Sequence, residues 1–176
     1  MANPVANLTK LPDLRKRLVF TLIMLGIYRL GVYIPTPGID VARLKDLISG
    51  GTVFEIVNLF SGGALEQFSI FALGIMPYIS ASIIFQLLTV SLPALKRLQE
   101  EGEAGRHKIN QWTRYGTVAL SLIQGLGISY GLLNQGMILP NIGGTKFMLI
   151  AVISLSAGTC FIMWLGEQIT ERGIGN

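Results

Sequence analysis

One cysteine, Cys160, and one histidine, His107, stand in a chain of 176 residues. A lone thiol excludes a disulfide framework within the chain, and one imidazole beside it is too little for a thiolate or histidine metal centre. Charge is scarce as well. Asp, Glu, Lys and Arg make up 14% of the residues, against about 25% in a soluble domain, which argues against a water-surrounded domain with a single core. A net charge of +4 does not imply nucleic-acid binding. What abounds is apolar: 51% of the residues, with a mean hydropathy of +0.56. There are 21 glycines, well above the usual ~7%, as expected where helices pack closely or break inside a membrane. The apolar residues gather in runs close to the ~20 that cross a ~30 Å hydrocarbon layer as helix. The pattern is that of an all-α, polytopic transmembrane helical bundle.

The order of the runs predicts four spans and one short helix that does not cross. Residues 1–17 form a cytoplasmic N-terminal segment in which Leu8, Leu11, Leu14 and Leu18 recur at helical spacing beside Lys10, Arg15 and Lys16. Both an interfacial helix and a solvated tail fit that pattern. The first span covers 18–34. It is no cleavable signal peptide, because no small-x-small site lies near Tyr33 and Ile34 and further spans follow. An external stretch at 35–52 opens on a turn from Pro35 to Gly38 and holds a short polar helix from Asp40 to Ile48. From Val53 to Leu92 the chain is apolar for longer than one span needs, yet Ser61, Gly62, Gly63, Gly74 and Pro77 punctuate it. This predicts a non-spanning half-helix at 53–67, irregular backbone after it, and a second span at 74–92. Non-helical backbone at membrane depth needs protein or a water-filled cavity to receive its N–H and C=O groups, so a discontinuous helix points to a pathway or a binding site.

Residues 93–114 set Lys96, Arg97, Arg106, Lys108 and Arg114 against Glu100, Glu101 and Glu103, with Gly102 and Gly105 as breakers. They read as a water-exposed cytoplasmic loop. A third span at 115–133, an external turn at 134–146, a fourth span at 147–165 and a cytoplasmic tail at 166–176 complete the order. Ten of the 14 Lys and Arg residues fall in the N-terminal segment, the 93–114 loop and the tail. The positive-inside bias therefore places both ends of the chain in the cytoplasm.

Few side chains offer chemistry. Arg29 is expensive if it faces lipid, so it should reach a polar partner or the outer interface. Ser121, Gly125 and Ser129, with Gly127 and Gly131 beside them, and Ser154 with Gly158, are small residues that let helix backbones approach. Ile75, Ile79, Ile83 and Gln86 lie on one strip of the helix after the break. Such a strip faces lipid or packs against other helices; alternatively Ile75 and Ile79 face a pore, where aliphatic side chains exclude water and ions by dewetting. Periodicity does not choose between these. Glu167 and Glu171 have no His or Cys nearby, and Gly173 and Gly175 follow no strand, so neither catalysis nor a phosphate loop is expected.

Four stretches resemble the N-terminal part of the SecY family, the central subunits of the bacterial Sec protein-conducting channel. They are RLGVYIPTPGID (Arg29 to Asp40), NLFSGGAL with SIFALGIMPYISASIIFQLLT (Asn58 to Thr89), EGEAGRHKINQWTRYGT (Glu101 to Thr117) and MWLGEQITERGIGN (Met163 to Asn176). The resemblance implies a partial SecY fold and no enzyme activity or cofactor. It implies a plug at about 53–67, including Phe60, Ser61, Gly62, Gly63, Ala64 and Leu65, which closes the resting channel from outside. By the same resemblance Ile75 and Ile79 belong to the pore ring, and Ser80, Ile83 and Gln86 to the lateral gate through which membrane segments leave for lipid. The implied partners are SecE, SecG, the SecA motor, the ribosome, signal sequences and nascent polypeptides, and the lipid bilayer of the bacterial inner membrane. The family has ten spans in two halves, whereas this chain is expected to hold four. The missing C-terminal half, as another chain or as the rest of a longer one, is then needed to enclose a channel. Half of a secondary transporter, or a non-conducting packing subunit, are the alternatives to a channel subunit.

Overall fold

The computed structural model describes residues 12–49, 56, 58, 59 and 61–175. Among these, six helices follow in order: α1 (Pro12–Val32), α2 (Val41–Ser49), α3 (Met76–Ser91), α4 (Pro93–Glu100), α5 (Glu103–Asn134) and α6 (Gly144–Arg172). Among the described residues the architecture is all-helical, as the apolar runs predict. The leucine pattern at Leu8 and Leu11 lies outside the described residues.

Among the described residues two helices, α5 and α6, are by themselves long and apolar enough to cross a membrane. A third crossing is available if α3 and α4, bent by 98° at Leu92, count as one broken span. At 16 residues α3 reaches only about 24 Å, short of a ~30 Å layer. In α1, Arg15, Lys16 and Arg17 precede the apolar part and Arg29 interrupts it. Charge rather than length sets α1 apart from α5 and α6.

α1 ends at Val32 because Pro35 follows, and the residue before a proline is pushed to extended backbone. The chain then makes two short bridged stretches on either side of a turn at Pro37 and Gly38 (φ +98°). On one side Thr36 N–H donates to Phe68 O at 2.8 Å and Ile70 N–H donates to Ile34 O at 3.0 Å. On the other, Asp40 N–H donates to Met137 O at 2.9 Å and Leu139 N–H donates to Gly38 O at 3.1 Å. Three connecting segments are thereby tied at one end of the bundle, and their backbone groups are satisfied as a low-dielectric surrounding demands.

The half-helix expected at 53–67 falls partly outside the described residues, Phe60 among them. Ile56, Asn58 and Leu59 are helical, but from Ser61 to Ile75 the chain runs in successive turns. Gly62 (φ +64°) and Gly63 (φ +86°) are the cause: two left-handed residues in a row cannot continue a right-handed helix. The turns satisfy themselves locally. Asn58 Oδ1 accepts from Glu66 N–H at 3.0 Å and Ser61 Oγ accepts from Leu65 N–H at 3.3 Å. Phe68, also left-handed (φ +43°), is fully buried in the main core with Leu44, Leu73, Phe147 and Leu155. That conformation costs roughly 1–3 kcal/mol, which burial of the ring offsets. Regular helix resumes at Met76, two residues later than the expected start of the second span.

The expected loop at 93–114 is instead helical, and this corrects the sequence reading. Pro93 opens α4 at its first turn, where its missing N–H is no loss. Only residues 101 and 102 break the run, with Gly102 at φ +80°, and α5 starts at Glu103. Gly105, read as a second breaker, lies inside α5 and lets it pass the Leu98 carbonyl. The many charges reflect exposed helix faces, not an irregular chain.

α5 packs on α6 and α3, and α1 packs on α6. Ser121, Gly125 and Ser129 form the buried stripe of α5, and a Cβ at Gly125 would stand 3.7 Å from Val152 Cα, so the helices approach almost backbone to backbone. α1 is fixed to the far end of α6 by Arg17 Nη1, which donates to Gly173 O at 3.3 Å, and by Thr21 Oγ1, which accepts from Ile174 N–H at 3.3 Å.

Candidate functional site

α3 meets its neighbours through Pro77, Ala81 and Thr89, which are buried, and through Phe85, whose ring lies over Gly116 of α5. The opposite side of α3 is open. Ile75, Ile79 and Ile83 lie along it, 40%, 43% and 51% exposed. Ile75 is the residue that caps α3; its carbonyl accepts from Ile79 N–H at 3.0 Å, so the strip begins where the irregular backbone ends. Ile75 also leans on α6, since a Cβ at Gly166 would meet its Cδ1 at 4.0 Å.

Not all the expected site residues share that strip. Ser80 follows Ile79 about 100° round the axis and is half-buried. Gln86 donates from Nε2 to Ser82 Oγ at 3.3 Å and lines a cavity of about 230 Å³ with Thr89, Arg106 and Asn110. Of the residues assigned to a gate, Ile83 and Gln86 therefore stay on the strip and Ser80 lies to one side of it.

Between α1, α3, α5 and α6 lies a larger cavity of about 590 Å³. Ile75 and Leu25 give it an apolar wall, while Asn110, Arg114 and Glu167 give it a polar one. Arg114 Nε donates to Glu167 Oε1 at 2.7 Å, a pair that sequence reasoning missed because the two residues are far apart in the chain. Both partners remain partly exposed, so the pair contributes about 0–1 kcal/mol. Arg114→Ala is expected to leave thermal unfolding in detergent nearly unchanged; a loss comparable to a core truncation would show that the cavity wall depends on this pair.

The segment before α3 is held by aromatic and polar contacts. Tyr28 of α1 stacks on Phe71 with centroids 5.5 Å apart, and Phe71 stacks on Phe161 of α6 at 5.9 Å. Gly31 leaves room for the Phe71 ring, and Gly158 leaves room for the Ile70 carbonyl. Tyr28 OH donates to Ser61 O at 2.9 Å and Arg29 Nη1 donates to Gly62 O at 2.6 Å. Arg29 thus reaches the polar partner its position required. Of the expected plug residues, Ser61 and Ala64 are buried, Gly63 and Leu65 are half-buried and Gly62 is exposed.

The family model for SecY matches residues 69–176. This chain belongs to the SecY family. It is 58% identical over 168 residues to the protein translocase subunit SecY of Vibrio cholerae, with 94% of this chain and 38% of that protein covered. The protein translocase subunit SecY of Buchnera aphidicola is 56% identical over 172 residues, covering 94% and 48%. That of Escherichia coli strain K12 is 55% identical over 172 residues, covering 94% and 38%. The chain therefore spans less than half the length of these curated relatives. Its match to the SecY model begins at Ser69, the residue bridged to Pro35, and takes in the whole isoleucine strip.

Proposed function

We propose that this chain is the N-terminal part of the pore-forming subunit of a Sec translocon, which passes unfolded secretory polypeptides across the bacterial inner membrane and releases membrane segments sideways into lipid. It acts as a channel component rather than an enzyme. The observation that carries this reading is the open isoleucine strip directly after a non-helical segment, in a chain whose relatives are named protein translocase subunits.

The chemistry suits the task. Ile75 and Ile79 offer an extended chain only nonspecific contact, so any sequence can pass, while the same side chains repel water and ions when nothing fills the gap. Residues 53–67 serve as the plug, and Phe60, Ser61, Gly62, Gly63, Ala64 and Leu65 are its central residues. Ser80, Ile83 and Gln86 belong to the lateral gate. A sufficiently apolar segment that meets the gate gains roughly 0.8 kcal/mol for each CH₂ it moves into lipid. Four spans, at 18–34, 74–92, 115–133 and 147–165, place both ends of the chain on the cytoplasmic side, where the basic residues gather. SecE, SecG, the SecA motor and the ribosome are the partners of this reading, and the opposite pore wall comes from the further length that the relatives carry. The strip has no charged group for a small solute, and the transporter-half and packing-subunit readings gain no support from the comparisons.

Site-specific crosslinking from position 79 tests the reading, with this chain co-assembled with the remaining SecY length and SecE in membranes. A crosslink to a stalled secretory chain, absent when the chain is released, is the expected result. No crosslink in a demonstrably assembled complex would return Ile79 to a packing or lipid face.

A further inference from the structure

The proposed plug segment is attached to α1 through two backbone carbonyls. Because Gly62 and Gly63 are left-handed, the turn they make presents the Ser61 and Gly62 carbonyls to α1. Among the described residues no backbone N–H serves the Gly62 carbonyl; Arg29 Nη1 serves it instead, at 2.6 Å. The guanidinium is steadied by Tyr33, whose ring centroid lies 5.4 Å from Cζ and whose hydroxyl lies 3.4 Å from Nη2. Tyr28, one residue earlier, adds its hydroxyl bond to Ser61 O while its ring stacks on Phe71. A further tie, Lys45 to Glu66 at 3.5 Å, joins half-exposed partners and is weak for that reason. The bond from Arg29 is short and charge-assisted, although both of its partners are exposed, and among the described residues no backbone N–H competes for its acceptor.

We propose that Arg29 is a positioning residue for the plug: its hydrogen bond to the Gly62 carbonyl latches the 61–67 turn in the resting state and so sets how apolar an arriving signal must be to displace it. Tyr28 is the minor arm of the same latch. The geometry gives a reason for an arginine in an otherwise apolar stretch of α1. A lone cation there is costly in lipid, but one bonded to an unserved carbonyl in a turn that must release is a stabiliser that the open state lacks. The inference rests on the plug reading of residues 53–67.

The test uses this chain assembled with the remaining SecY length and SecE in planar bilayers and in an export assay. Arg29→Met keeps the apolar stem and removes the donor. It is expected to raise resting ion conductance about tenfold, the ratio set by a charge-assisted hydrogen bond at the low end of its range, and to admit passengers with weakened signal sequences. Arg29→Lys restores one donor and should recover most of the wild-type selectivity, which a general packing defect would not do. Tyr28→Phe keeps the ring stack and is expected to give a rise of about twofold, and it reports on the latch even if Arg29→Met assembles poorly. A deletion of residues 61–67 serves as reference. If the deletion raises conductance but Arg29→Met and Tyr28→Phe do not, the latch is overturned and the plug reading stands. If the deletion also changes nothing, both are overturned.

Discussion

Gly158→Ala is expected to destabilise the chain by about 3 kcal/mol, the upper end of what overpacking costs. A Cβ at this position runs into the carbonyl of Ile70 and comes 3.2 Å from the Phe71 ring. The obstacle is backbone, which no rotamer change can move. Ile70 cannot retreat either, because its N–H holds Ile34 O at 3.0 Å, so displacing it opens the tie between the segment before α3 and the extended run after α1. Phe71 would be driven off Tyr28 and Phe161 at the same time. Gly127→Ala is the matched control, since nothing lies within 4 Å of a Cβ there. On an exposed helix face that change should be neutral or stabilising by up to about 1 kcal/mol, the helix-propensity difference. Heat-induced aggregation in detergent, read for both variants, separates the two. Equal behaviour would mean that α6 does not bear on Ile70 in the assembled protein.

The contrast between these two glycines shows which part of the architecture could be read from residue types. Long apolar runs made α5 and α6 legible, and the spacing of Ser121, Gly125 and Ser129 gave the face on which they meet, because membrane helices associate through small residues. The break between Ser61 and Gly74 was legible for the same kind of reason, as glycines and a serine interrupt an apolar run too long for one crossing. The consequences of the break were not. That Phe68 would take a left-handed conformation follows from its burial among residues distant in sequence, and no local preference announces it. The pairing of 34–40 with both 68–70 and 137–139 is also nonlocal. Charge is ambiguous at 93–114, where lysines, arginines and glutamates suit a loop equally well but line exposed helix faces around a two-residue break. For the site, period and position marked Ile75, Ile79 and Ile83 as one strip, but only packing tells which side of α3 the bundle leaves open. Arg29 showed the need for a partner; its identity depended on where two left-handed glycines turn a carbonyl.

Replacing Ile75 and Ile79 together by Asn is expected to make the resting assembly leak ions by at least about tenfold. An aliphatic constriction closes because water inside it finds no hydrogen-bond partners. Each amide supplies a partner worth about 1 kcal/mol, and about 1.4 kcal/mol off a barrier is tenfold in rate, so two substitutions suffice where one gives a smaller rise. Both positions are exposed in this chain, hence the change creates neither a cavity nor a buried unpaired amide within it, and assembly should survive. Val90→Asn, on the same helix and also exposed, controls for a general effect of polarity on α3. Single-channel recording on the chain assembled with the remaining SecY length and SecE reads the outcome. Unchanged conductance in the double variant, with position 79 still crosslinking to a stalled chain, would mean that the strip contacts the passenger without forming the barrier. The seal would then lie in the 61–67 turn alone, and the latch from Arg29 would become the main determinant of the closed state.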